Sequence, residues 1–152
     1  MALELWWIGK KDKDEFGVLY KHYLDRIQRY IPVKSLLIPE SKESLPQNKV
    51  KAESKLILSR INPGDQLTLL DEKGKSMDTR TFSKFIETQL HTGKSIFLIG
   101  GAYGFHDDVY KRSNKMISLS HFTMPHKLAR VVLCEQIYRG LSILNNSKYH
   151  HE

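Results

Sequence analysis

The chain has 152 residues, enough for one domain with a substantial core and too few for two ordinary ones. Its 40% hydrophobic and 27% charged content is that of a globular protein, and no run approaches the ~20 apolar residues that span a bilayer. A formal charge of +7 favours a polyanionic partner, and the single cysteine, Cys134, excludes an intrachain disulfide framework.

Residues 1–8 carry no basic leader and no small-residue cleavage site, so a cytoplasmic location is expected. Residues 3–8 read as a strand. Residues 14–30 read as a helix, with Phe16, Leu19, Tyr20, Tyr23, Leu24 and Ile27 at helical spacing and Pro32 as the stop. Residues 33–38 form a second strand, 39–46 a polar loop and 48–60 a helix. Asn62-Pro63-Gly64-Asp65 is a turn. A third strand covers 66–70, and 71–75 reads as a loop. Asp78 caps a helix over 79–92, which Gly93 ends. Residues 95–99 are a fourth strand, 107–112 a short helix, 116–119 a fifth strand and 125–146 the last helix.

Strands alternating with helices give an α/β domain over residues 1–152, with a mostly parallel sheet covered by helices on both faces. No repeat, linker or separate RNA-binding domain is visible. In the last helix, residues such as Val131, Leu133, Ile137, Leu141 and Leu144 cover more than one stripe. Such a helix is expected to be central to the domain and also buried by a partner subunit in a homodimer.

Two loops stand out chemically. Ser95-Ile96-Phe97-Leu98-Ile99 runs into Gly100-Gly101-Ala102-Tyr103-Gly104, a glycine turn at the end of a strand. Ile117-Ser118-Leu119-Ser120-His121-Phe122-Thr123-Met124-Pro125-His126 leads into the last helix. Both have the form of ligand-binding loops at strand C-termini. Other motifs fail. The glycine turn is not G-x-G-x-x-G. Thr92-Gly93-Lys94-Ser95 lacks the upstream glycine of a phosphate-binding loop and leads into a strand. The histidines have no helical i,i+4 partner and no supporting cysteine, so no metal is expected. Cys134 lies among apolar residues, which marks a core position rather than a nucleophile. Lys and Arg are spread evenly, 12 in residues 1–60 and 12 in 61–152, so any nucleic acid is expected on a folded surface.

These segments together resemble the RlmH-type methyltransferases of the SPOUT class. The resemblance rests on Phe97-Leu98-Ile99-Gly100-Gly101-x-x-Gly104, on Ser118-Leu119-Ser120-x-x-Thr123-Met124-Pro125-His126, on Arg130-Val131, on Glu135-Gln136-Ile137-Tyr138-Arg139 and on Tyr149-His150-x-Glu152. Gly9 and the segment from Leu69-Leu70-Asp71 to Gly74-Lys75 also fit. The chain departs from the pattern at Ala102-Tyr103, where the family often has an acidic or proline-containing pair, and at His151, where it often has a cation.

The resemblance implies a C-terminal trefoil knot that holds S-adenosyl-L-methionine. It also implies a homodimer that methylates N3 of a pseudouridine in 23S rRNA of assembled ribosomes. Carried over by position, the cofactor residues are Leu70, Gly100, Leu119, Ser120, His121, Phe122, Thr123 and Met124. His150 becomes the candidate base. Arg26, Lys42, Arg130, Arg139 and Tyr149 become candidate RNA contacts. A non-catalytic rRNA-binding protein that keeps the fold is the alternative. A metabolic enzyme with another nucleotide cofactor is disfavoured by the positive charge.

Overall fold

The computed structural model describes residues 2–151, and Met1 and Glu152, the last residue of the tail motif, lie outside them. Ten elements follow in chain order: β1 (Ala2–Ile8), α1 (Glu15–Gln28), β2 (Val33–Ile38), α2 (Pro46–Ser59), β3 (Gln66–Ser76), α3 (Thr79–Leu90), β4 (Lys94–Ile99), α4 (Asp107–Arg112), β5 (Lys115–Ser118) and α5 (His126–Leu144). The strands form one sheet in the order β2-β1-β4-β3-β5, and every pairing is parallel.

The central strands are buried on both faces, which is why they read as continuous apolar runs rather than alternating ones. Trp6, Ile8, Ile96 and Leu98 point to one face, under Ile57 of α2 and Val109 of α4. Leu5, Trp7, Phe97 and Ile99 point to the other, under α1, α3 and α5. Each such Leu, Ile or Phe contributes roughly 1.5–3 kcal/mol by leaving water. Helix starts follow local chemistry. The Asp14 carboxylate accepts from Phe16 N–H and Gly17 N–H, and Asp78 accepts from Thr81 N–H. Pro46 sits in the first turn of α2, where its missing N–H costs nothing, so that helix begins two residues earlier than its apolar spacing indicates.

α5 is central to its layer, which accounts for its broad apolar surface. It packs between α1 and α3. Ser83 Oγ donates to Gly140 O at 2.8 Å, and Thr79 Oγ1 donates to Gln136 Oε1 at 2.8 Å. Cys134 is fully buried, and burial pushes its thiol well above its ordinary range, as fits a core residue.

The segment 71–75 is not a free loop. β3 continues through it to Ser76, but Leu70 and Lys75 both stand opposite Ile117 of β5, so Asp71–Gly74 is displaced as a bulge. Gly74 permits this close approach: a Cβ there would lie 2.5–2.7 Å from backbone atoms of Ile117. The bulge carries its side chains toward the C-terminal ends of β4 and β5. Among the described residues, no helix is long and apolar enough to cross a membrane, and no group of three or more His, Cys, Asp or Glu is placed to hold a metal.

Candidate functional site

Three loops meet at the C-terminal ends of β3, β4 and β5 and enclose a cavity of about 450 Å³. They are the β3 bulge, the glycine turn after β4, and the segment from Ser118 to the start of α5. The volume lies within the ~300–1,000 Å³ of small-molecule sites.

Each loop is shaped by its own residues. Gly100 is buried, and a Cβ on it would lie 2.9 Å from the Phe105 ring, so glycine lets that ring close under the turn. Gly104 N–H donates to Gly101 O at 3.2 Å, which makes a tight turn with Ala102 and Tyr103 at its tip. In the third loop, Ser118 Oγ donates to Ser120 O at 2.9 Å, and Ser120 Oγ accepts from Phe122 N–H at 2.9 Å. These bonds hold the loop without help from a ligand.

The walls are mixed. Leu70, Ile99, Leu119, Met124 and Ala129 supply apolar surface, and Asp71 and Glu72 supply carboxylates. Tyr110 donates to Asp71 Oδ2 at 2.6 Å, and burial together with that carboxylate pushes the phenol up to about 12. Tyr110 therefore stays a neutral donor that fixes Asp71. Lys73 lines the cavity beside these carboxylates, so the arrangement suits a small molecule with one flat apolar end and one end that carries charge.

Six of the eight expected cofactor residues line the cavity: Leu70, Gly100, Leu119, Ser120, Phe122 and Met124. His121 and Thr123 do not. His121 Nε2 lies 3.3 Å from Ser76 Oγ, and both His121 and Thr123 are exposed. Phe122 stands on the lip, 84% exposed, rather than walling the interior. Sequence reasoning missed the cavity's carboxylates. Asp71 and Glu72 look like loop residues in the sequence because no periodicity signals a bulge.

Arg130, expected among the RNA contacts, sits inside the fold rather than on its surface. It is buried, and its side chain is 7% exposed against 8% for Asp12. Nη1 donates to Asp12 Oδ1 and Oδ2 at 3.2 and 3.1 Å, and Nη2 donates to Ile8 O at 3.2 Å. The guanidinium also lies 4.9 Å from the Trp7 ring centroid. It ties β1 and the loop after it to α5. Lys127, beside it, is held by Asp14.

The tail forms a separate cluster. Tyr149 OH donates to Glu135 Oε1 at 3.0 Å, Arg139 pairs with the same carboxylate at 2.6 Å, and the Tyr149 ring packs on Tyr138. Arg26 lies 4.8 Å from the Tyr138 ring centroid and 5.4 Å from that of Tyr149. Arg139 Nη1 is 3.2 Å from His150 Nδ1. Arginine only donates, so Nδ1 accepts and Nε2 carries the hydrogen of the neutral ring. His126 and Ala129 in the first turn of α5 line the cavity, and Arg139 comes ten residues after Ala129. At 1.5 Å per residue that is about 15 Å along the helix. His150 and the cavity are therefore apart within one protomer. Lys42 is exposed and borders a groove of about 630 Å³ with Lys10, Lys11 and Lys49.

Comparisons with known proteins agree with this architecture. A family model described as "Predicted SPOUT methyltransferase" matches residues 1–150. The chain is 44% identical to a ribosomal RNA large subunit methyltransferase H from Christiangramia forsetii, over 99% of both chains. It is 43% identical to the protein of that name from Parabacteroides distasonis over the whole of both, and 36% identical to that from Pelobacter propionicus over 99% of this chain and all of the other. A match of this extent, on a parallel sheet with the cavity at its C-terminal edge, makes the chain a member of the SPOUT methyltransferase family, whose fold carries the C-terminal trefoil knot.

Proposed function

We propose that this protein transfers a methyl group from S-adenosyl-L-methionine to N3 of a pseudouridine in 23S rRNA of assembled cytoplasmic ribosomes, and that it works as a homodimer. The observation that carries the reading is the cavity itself. It combines apolar walls, backbone-rich loops and two carboxylates in a chain whose relatives are named for methylation of large-subunit rRNA.

The residues fit the cofactor. Leu70, Leu119 and Met124 would enclose the adenine, and loop backbone groups near Gly100 and Ser120 would read its polar edge. Asp71 and Glu72 would face the ammonium of the methionine part and Lys73 its carboxylate, roles the glycine turn cannot fill with Ala102-Tyr103. When bound, the cofactor supplies an electrophilic methyl group, and the protein's task is alignment and exclusion of water.

N3 of pseudouridine bears a proton that must leave. We assign its removal to His150, which must first give up the hydrogen bond from Arg139 at Nδ1. That histidine would serve a two-fold partner's cavity rather than its own, a reading supported by the stretch of α5 between the tail and the cavity of the same protomer. Replacing His150 by Ala should lower kcat by roughly a hundredfold or more while cofactor affinity stays the same. Unchanged turnover would remove His150 from this role.

The test of the whole reading uses purified protein, labelled S-adenosyl-L-methionine and ribosomes from a strain lacking the modification. Label on the rRNA at a pseudouridine is expected. Cofactor binding by calorimetry without label on ribosomes or free rRNA would sink the reading, and no binding heat at all would favour the non-catalytic alternative.

A further inference from the structure

Tyr103 stands at one of the two places where the chain departs from the family pattern, and its surroundings are unlike those of a structural tyrosine. It lies at the tip of the Gly101–Gly104 turn, on the rim of the cavity, and is 59% exposed. No ring contact or hydrogen bond of its side chain is found among the described residues, whereas the buried or half-buried Tyr20, Tyr110 and Tyr149 all hydrogen-bond. A large ring held in water by a stiff two-residue tip gains nothing for the fold.

Beside it lies charge. Tyr103 is an electrostatic neighbour of Lys49, and Lys49 borders the groove that Lys10, Lys11 and Lys42 also line. Four lysines there face one exposed carboxylate, Glu40, which pairs with Lys49 at 2.9 Å. The groove runs along the C-terminal ends of β1 and β2, where Gly9, Leu37 and Pro39 also line it, and Lys49 is its link to Tyr103 on the cavity rim. On the other lip Phe122 offers a second exposed ring.

We propose that Tyr103 is the stacking platform for an unpaired base of the substrate RNA next to the target nucleotide, and that the lysine groove carries the phosphates of the same strand. Single-stranded RNA is bound by this combination: flat rings for bases, which every base can use, and a basic track for the backbone. The inference rests on the rRNA-methyltransferase reading and adds a path for the strand. It also gives a purpose to the position at which this chain leaves the family pattern. Stacking needs a flat ring and not the hydroxyl, so phenylalanine or tryptophan should serve there.

The experiment compares wild type with Tyr103→Leu, Tyr103→Phe and Tyr103→Trp. Steady-state methylation of unmodified ribosomes is measured, together with binding of a fluorescent RNA stem-loop and calorimetry with S-adenosyl-L-methionine. Tyr103→Leu should raise KM for ribosomes about tenfold or more, change kcat less than twofold and weaken stem-loop binding by a similar factor. Cofactor affinity should stay the same, and both aromatic variants should restore KM. A wild-type KM in Tyr103→Leu, or a Tyr103→Phe as impaired as Tyr103→Leu, would overturn the proposal. If wild type methylates no RNA, the catalytic reading fails separately. The stem-loop binding series then decides the stacking role by itself, and equal affinity of wild type and Tyr103→Leu would refute it.

Discussion

Arg130 shows how much one side chain can hold together. Its guanidinium bonds both oxygens of Asp12 and the carbonyl of Ile8, and lies over the Trp7 ring. Removing one partner of a buried pair leaves the other charge uncompensated, at a cost of about 3–5 kcal/mol. Arg130→Met should therefore lower Tm by roughly 6–20 °C, read by calorimetry. The double variant Asp12→Leu/Arg130→Met should recover most of that loss, because the pair itself is near break-even. Arg130 Nε has no partner, which makes an apolar replacement of the pair more favourable still. If Arg130→Met instead kept its Tm and lost RNA affinity, the surface role expected from sequence would be correct. Sequence spacing could not reveal this burial. Arginine is usually exposed, and its partner Asp12 lies 118 residues away in the chain. Leu119 and Met124 were legible because their loop joins a strand to a helix start, where ligands bind. Their neighbours His121 and Thr123 belong to the same motif but lie exposed outside the cavity, because loop residues do not all face one way.

At the scale of elements, the β3 bulge decides what the cavity contains. Its four displaced residues bring Asp71 and Glu72 to the wall, and Gly74 is the hinge that allows it. Gly74→Ala would set a Cβ against the Ile117 backbone, which cannot rotate away. The expected cost is about 1–3 kcal/mol, with weaker cofactor binding because Asp71 moves off Tyr110. Gly64→Ala is the control, since nothing lies within 4 Å of its Cβ. Equal Tm and equal cofactor affinity in the two variants would refute the role given to the bulge. The strands and helices themselves were legible in the sequence, since apolar runs and helical spacing are local. A bulge depends on which strand lies alongside, and β5 joins β3 only after α3, β4 and α4 intervene. The lysine groove was hidden for the same reason. Lys10 and Lys11 follow β1, and Lys42 and Lys49 follow β2, so an even spread of charge along the chain becomes a cluster once β1 and β2 pair. Lys11→Glu/Lys42→Glu should weaken RNA binding and flatten its salt dependence. A salt slope equal to wild type would show that phosphates lie elsewhere.

For the whole molecule, the distance between tail and cavity has a consequence for assembly. Arg139 holds His150 about 15 Å along α5 from Ala129, which borders the cavity. A tail that serves its own cavity would have to abandon Glu135, Arg139 and the Tyr138 ring and travel that length. A tail that serves a two-fold-related partner needs only the partner's cavity nearby. The two cases separate in a mixing experiment. Gly100→Val fills the space against Phe105 and disables the cavity, and His150→Ala disables the tail. Each variant alone should be inactive on ribosomes. Co-refolded in equal amounts, half of the dimers pair one variant with the other, and each such dimer holds one intact cavity facing one intact tail. About a quarter of wild-type activity should then return. If the tail acts on its own protomer, no subunit has both parts and nothing returns. A second cavity variant, Leu119→Arg, repeats the test in case Gly100→Val is impaired in folding, which its Tm reports. Recovery with both cavity variants would make the dimer, rather than the protomer, the smallest unit that holds a complete site.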